Sequence, residues 1–186
     1  MDKMKKNKTF MYLFIASEAF FFLGLIISYV YYSHPGGKLS SSAQYLDVLK
    51  TSIFTVLLLS SSVTIAFAGS QLKHGNKKAM RWWLFATLLL GAIFLIGQGT
   101  EYARLMSVDL TISKNVFGSA FFTLTGFHGL HVIMGLITIS IITGLLFSEK
   151  FQSVDRVMLE SVSIYWHFVD AVWIVVFSVV YLGAIL

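Results

Sequence analysis

Five stretches of this sequence, residues 10–32, 51–72, 80–104, 116–147 and 157–186, run almost without charge. Each reaches the roughly 20 helical residues needed to cross a hydrocarbon core about 30 Å thick. Backbone polar groups in lipid must be satisfied within their own segment, so apolar runs of this length fold as helices. The expected fold class is all-α: an integral membrane bundle of five transmembrane helices, one domain over residues 1–186. The last two runs exceed the minimum length, which predicts tilt or emergence into the interface.

Composition closes off the soluble alternative. With 56% hydrophobic and 12% charged residues among 186, and a mean hydropathy of +0.77, the chain is too apolar to hide its surface in one core. It has no cysteine, which excludes disulfides, iron–sulfur clusters and cysteine-based zinc sites. The lysine-rich start followed by an apolar run resembles a signal peptide, yet the run is too long, carries Glu18 and lacks a small-residue cleavage pattern, so a retained helix is expected.

The net charge of +5 is unevenly placed. Lys3, Lys5, Lys6 and Lys8 precede the first run; Lys73, Lys77, Lys78 and Arg81 separate the second and third; Lys150 and Arg156 precede the last. Thus ten of the fourteen Lys and Arg residues fall on one side, opposite Lys38, Lys50, Arg104 and Lys114. The positive-inside bias predicts a cytoplasmic amino terminus and an external carboxyl terminus. The same bias accounts for the basic charge without nucleic acid. The turn-rich loop SHPGGKLSSSAQ, residues 33–44, connects the first two runs.

Polar residues inside these runs are the candidates for function. At about 1.5 Å per residue, Glu18 lies roughly 12 Å, Glu160 about 5 Å, His167 about 15 Å and Asp170 about 20 Å from the cytoplasmic side. His128 and His131 lie roughly 18 and 22 Å from the outer face, with Gln98 and Glu101 near it. The expected arrangement is two polar layers: Glu18, Glu160, His131 and His128 approaching one another, and His167 beside Asp170 on one helix face. An ion in mid-bilayer costs at least roughly 2.5–3.5 kcal/mol, so these groups should face the bundle and find partners, or be neutral.

Three uses remain open on residue chemistry alone: hydrogen-bonded contacts between helices, a proton or ion pathway, and a metal or haem site built from imidazole and carboxylate. The SSSVT stripe at 60–64 and Gly91, Gly97, Gly99, Gly126, Gly129 and Gly135 read as surfaces for close helix approach. Arg81, Trp82 and Trp83 sit where a guanidinium and aromatic rings can hold lipid headgroups. A phosphate-binding glycine loop, a nucleophile elbow and HExxH are all absent from the sequence, which removes the support for an independent hydrolase or nucleotide-driven pump.

Four ordered motifs on separate helices narrow this further: ASEAFFF (16–22), GQGTEYARL (97–105), FGSAFFTLTGFHGLHVIMGL (117–136) and YWHFVDAVW (165–173). Together they closely resemble subunit III of haem–copper respiratory oxidases. In that resemblance Glu18 matches the family's buried, carbodiimide-reactive glutamate. Gln98, Glu101 and Tyr102 match its QxxEY segment, His128 and His131 its paired histidines, and Tyr165, Trp166, His167, Asp170 and Trp173 its last-helix signature. The resemblance implies an all-helical subunit with no catalytic residues and no metal of its own, packed against the haem- and copper-bearing subunit I, with subunit II in the same complex.

It also implies phospholipid binding, support of proton uptake and protection of the catalytic centre, while the complex reduces oxygen to water and pumps protons. Some members have seven helices, with lipid held between the first two and the rest; this chain matches the later five. Cytochrome c is the expected electron donor, with a quinol oxidase subunit or an autonomous ion transporter as the alternatives. The expected location is a bacterial plasma membrane, with an organelle inner membrane second.

Overall fold

The computed structural model of the protein describes residues 2–33, 44–114, 116–147 and 156–183. It contains five long helices: α1 (Asp2–Ser33), α2 (Val48–Lys73), α3 (Lys77–Ser107), α4 (Val116–Phe147) and α5 (Arg156–Phe177), the last continuing as a π-helical turn over Ser178–Leu182. All five are long and apolar enough to cross a membrane, and no strand occurs among the described residues. The expected all-helical bundle is therefore present. Most of the 33–44 loop lies outside the described residues.

Local chemistry sets the helix ends. The Asp47 side chain accepts the Lys50 amide at 3.0 Å at the start of α2, and the Asn76 side chain accepts the Ala79 amide at 3.1 Å at the start of α3. Each satisfies a backbone donor that the first helical turn leaves open. Between α2 and α3 the chain reverses at Gly75, whose φ of +71° lies in the left-handed region that a Cβ disfavours.

Helices α4 and α5 are central: α4 packs on α1, α3 and α5, and α5 packs on α1, α2 and α4. α1 is peripheral. Only 6% of its most apolar window is buried within the chain, against 39% for α4.

The core is held by aromatic rings seated on glycines. The Trp166 ring is fully buried and lies between Gly91 and Gly135, where an added Cβ would meet ring carbons at 3.0 and 2.7 Å. Phe54 covers Gly97 in the same way, with a virtual Cβ at 2.5 Å, and Gln98 approaches Gly129 at 2.9 Å. Gly99 and Gly126 differ from the packing expectation. No atom lies within 4 Å of a Cβ at Gly99, and at Gly126 the nearest is the Tyr102 hydroxyl at 3.8 Å.

Gly24, Gly69 and Gly144 are also open. Since glycine inside a helix is worth about 0.5–1 kcal/mol less than alanine, Gly24→Ala, Gly69→Ala and Gly144→Ala should leave thermal melting unchanged or slightly raised. A melting temperature lowered by several degrees would contradict this.

Candidate functional site

The buried polar side chains form separate groups, each between a particular pair of helices. Between α1 and α4, Glu18 Oε2 lies 3.0 Å from His131 Nε2. His131 Nδ1 is 2.7 Å from the Phe127 carbonyl, one helical turn earlier. Tyr165 of α5 donates its hydroxyl to the His131 carbonyl at 3.1 Å. The Phe22 ring packs edge-on against the imidazole with centroids 4.9 Å apart. The approach of Glu18 to His131 expected from their depths is thus present.

Between α5 and α2, Trp166, Asp170 and Trp173 share one helical face at spacings of four and three residues, and each makes one bond to a hydroxyl of α2. Trp166 Nε1 donates to Ser61 Oγ at 2.8 Å, Trp173 Nε1 donates to Thr55 Oγ1 at 2.9 Å, and Ser62 donates its hydroxyl to Asp170 Oδ2. A serine hydroxyl has one proton to give. With that proton on Asp170, Ser62 accepts from His167 Nδ1 at 3.0 Å. His167 Nε2 is then left to accept from Ser163 Oγ at 3.4 Å.

His167 and Asp170 are therefore joined through Ser62, a residue whose sequence context suggested packing alone. Its signal was present: a hydroxyl on the helix opposite an intramembrane acid. Asp170 is 3% exposed, and its Oδ1 has no hydrogen-bond partner.

Two placements differ from expectation. Glu160 does not join Glu18 and His131; it lines a crevice of about 370 Å³ between α2 and α5 together with Lys73, Ser70, Ser163 and His167. Depth along a helix fixes height, whereas the face depends on rotation. Five residues separate Glu160 from Tyr165, which turns it about 140° away at roughly 100° per residue. His128 also stands apart. It is fully buried, stacks on Trp173 with centroids 4.7 Å apart, meets the Phe94 ring edge-on at 5.9 Å, and has no hydrogen-bond partner at either ring nitrogen. The two histidines of α4 thus serve different surroundings. Among the described residues no three His, Asp or Glu side chains gather as a metal ion would require.

Gln98, Glu101 and Tyr102 also diverge. Gln98 Nε2 donates to the Thr125 carbonyl at 2.8 Å and to the Tyr102 hydroxyl at 3.1 Å, and Tyr102 pairs with Thr125 Oγ1 at 2.8 Å, tying α3 to α4. Glu101, 3% exposed, binds Arg104 Nη2 at 2.7 Å and accepts the Asp47 amide at 3.2 Å. Arg104 also donates to the Tyr45 carbonyl. This group fastens the segment entering α2 onto the end of α3. At the opposite end the Arg81 guanidinium lies 5.1 Å above the Phe147 ring. Trp82 is 66% exposed, while Trp83 stacks on Phe67 at 4.8 Å.

The Ser62 arrangement makes an asymmetric prediction. Ser62→Ala leaves a buried carboxyl without a partner and should cost about 1–2 kcal/mol. Asp170→Ala leaves only a hydroxyl, which can turn to a carbonyl of its own helix, and should cost less than about 1 kcal/mol. Equal losses of thermal stability in the two variants would contradict this.

The sequence profile of cytochrome c oxidase subunit III matches residues 3–185. A cytochrome c oxidase subunit 3 from Corynebacterium diphtheriae is 39% identical over 171 residues, covering 90% of this chain and 83% of that protein. A probable cytochrome c oxidase subunit 3 from Mycobacterium leprae is 38% identical over 168 residues, with 90% and 83% covered. The Synechocystis cytochrome c oxidase subunit 3 is 34% identical over 173 residues, with 91% and 72% covered.

Proposed function

The chain belongs to the cytochrome c oxidase subunit III family, and we propose that it serves as the non-redox subunit III of a haem–copper terminal oxidase that takes electrons from cytochrome c. Its work is structural support of subunit I, where oxygen is reduced to water and protons are pumped, with subunit II in the same complex. It sits in the bacterial plasma membrane with its amino terminus inside. The single observation that carries this reading is a family match spanning residues 3–185.

The interior is consistent with a supporting role. His128 apart, Glu18 and His131 meet each other, Ser62 joins His167 to Asp170, and Tyr165 holds the His131 carbonyl, which is how polar side chains join helices in lipid. Arg81 and Trp82 are proposed to meet phospholipid headgroups, with the half-buried Trp83 supporting them from the Phe67 side.

The test is gentle solubilisation through a tag on this chain, followed by a visible spectrum and mass spectrometry of the eluate. Haem absorption with the two larger oxidase subunits is the expected result; a solitary chain without haem overturns the reading.

Glu18 supplies a second measurement. A carbodiimide takes a carboxyl's proton on nitrogen as the carboxylate oxygen adds to its carbon, so it selects protonated carboxyls in apolar surroundings. Glu18, on an apolar helix with 23% of its side chain accessible, should be labelled before Glu149, Asp155 and Glu160. Peptide mapping that finds Glu18 untouched and the others modified would count against this.

A further inference from the structure

We propose that one ordered water molecule is bound where α2 begins and α3 and α5 end, held by Thr51, Glu101 and Tyr181. These three residues line a small chamber whose apolar wall is formed by Phe54, Phe94 and Trp173. About 10 Å³ there is open to the centre of a water molecule, close to the roughly 10–15 Å³ that a single buried water needs. The chamber therefore admits one water and nothing larger.

The lining decides that the chamber is wet. Dry cavities in proteins are bounded by apolar groups, whereas a buried water sits where about two to four polar partners reach it. Arg104 Nε and Nη2 and the Asp47 amide fill three of the roughly four acceptor positions of the Glu101 carboxylate, which leaves one on Oε2. Tyr181 brings a hydroxyl that both donates and accepts, and Thr51 bonds to it from α2. Gln98 also lines the chamber, but its amide nitrogen is spent on Thr125 and Tyr102.

The end of α5 is shaped to bring Tyr181 here. At roughly 100° per residue, a continuous α-helix would turn position 181 about 80° away from position 173. The π-helical turn over Ser178–Leu182, closed by the Gly183 amide on the Ser178 carbonyl at 3.0 Å, is wider. It returns Tyr181 to the Trp173 side, with ring centroids 6.4 Å apart.

The charges select a neutral occupant. Arg104, bound to Glu101, and Lys50, which lines the chamber, repel a cation, and Glu101 repels an anion. A water that gives one hydrogen to Glu101 and takes one from Tyr181 ties the last turn of α5 to the group that fastens α2 onto α3. Such a bridge is nearly as good as a direct hydrogen bond.

The test is X-ray radiolytic footprinting of the purified protein in lipid nanodiscs, with the subunits that accompany it. Irradiation splits water into hydroxyl radicals that oxidise the side chains beside them, and mass spectrometry maps the added oxygen. The expected result is oxygen on Tyr181 and Trp173, both buried, and none on Trp166, equally buried but seated between glycines away from the chamber. An alcohol that consumes radicals in the buffer should leave this labelling in place while it protects a free peptide tracer. Tyr181 and Trp173 as inert as Trp166 overturn the proposal. So does labelling that the alcohol suppresses along with the tracer, because it then comes from fraying of the α5 end.

Thr51→Leu supplies a second measurement, since its larger apolar side chain fills the chamber. Labelling of Trp173 should then drop to the Trp166 level, and labelling that persists overturns the proposal. If this variant fails to assemble, the wild-type comparison of Trp173 with Trp166 in the presence of the alcohol still decides it.

Discussion

Gly135→Val is expected to remove this chain from the purified complex or to lower its melting sharply. An alanine-sized Cβ at Gly135 would already lie 2.7 Å from Trp166 Cζ3, and the ring cannot retreat. Its opposite side abuts Gly91, where a Cβ would stand 3.0 Å away, and its Nε1 is fixed to Ser61 at 2.8 Å. A branched side chain must therefore push α4 away from α5 or expel the indole, and the cost belongs at the upper end for overpacking, about 3 kcal/mol. Gly135→Ala should fall between the two proteins. A melting curve for Gly135→Val that overlays the wild type would show that the helices have slack the packing does not suggest.

Glu101→Ala should produce the next largest loss, about 3 kcal/mol, the low end for breaking a buried ion pair. The carboxylate serves Arg104 and the Asp47 amide together, so its removal strands two donors. The low end applies because the Arg104 side chain is 39% accessible and keeps the Tyr45 carbonyl as a partner. Glu101→Gln retains one acceptor and should recover roughly half the loss. Thermal melting of the purified complex and protease sensitivity just before α2 both report it; unchanged melting with intact subunit content would mean that water replaces the carboxylate at no cost.

The architecture was legible because length and hydropathy act on whole segments: each apolar run became a helix, although the caps Asp47 and Asn76 start α2 and α3 at Val48 and Lys77, ahead of the expected 51 and 80. Heights were legible too, since Glu18 and His131 meet as their depths predict. Rotation about each axis was not. That is why Glu160 turned to the α2 crevice and why Gln98 and Glu101, three residues apart, serve different helices.

Hydroxyls were the other blind spot. Serine and threonine in a membrane helix usually bond to their own backbone, as Ser60 and Thr143 do, so a stripe such as SSSVT does not announce which member reaches across. Only the placement of α5 singles out Ser61 and Ser62. The family motifs named the positions expected to matter but not their partners.

The distance along the chain between Glu18 and His131 has a consequence for biosynthesis. They are 113 residues apart, so at about 5–20 residues per second the helix carrying the acid emerges on the order of 6 to 23 s before its partner has been translated. During that interval α1 has neither α4 nor α5 to lean on. The newborn carboxyl enters the membrane without its partner, and the ribosome's order of delivery makes α1 a helix that waits. Slowing translation downstream of α3 would lengthen that wait and enlarge the time in which a membrane protease can find the unfinished chain.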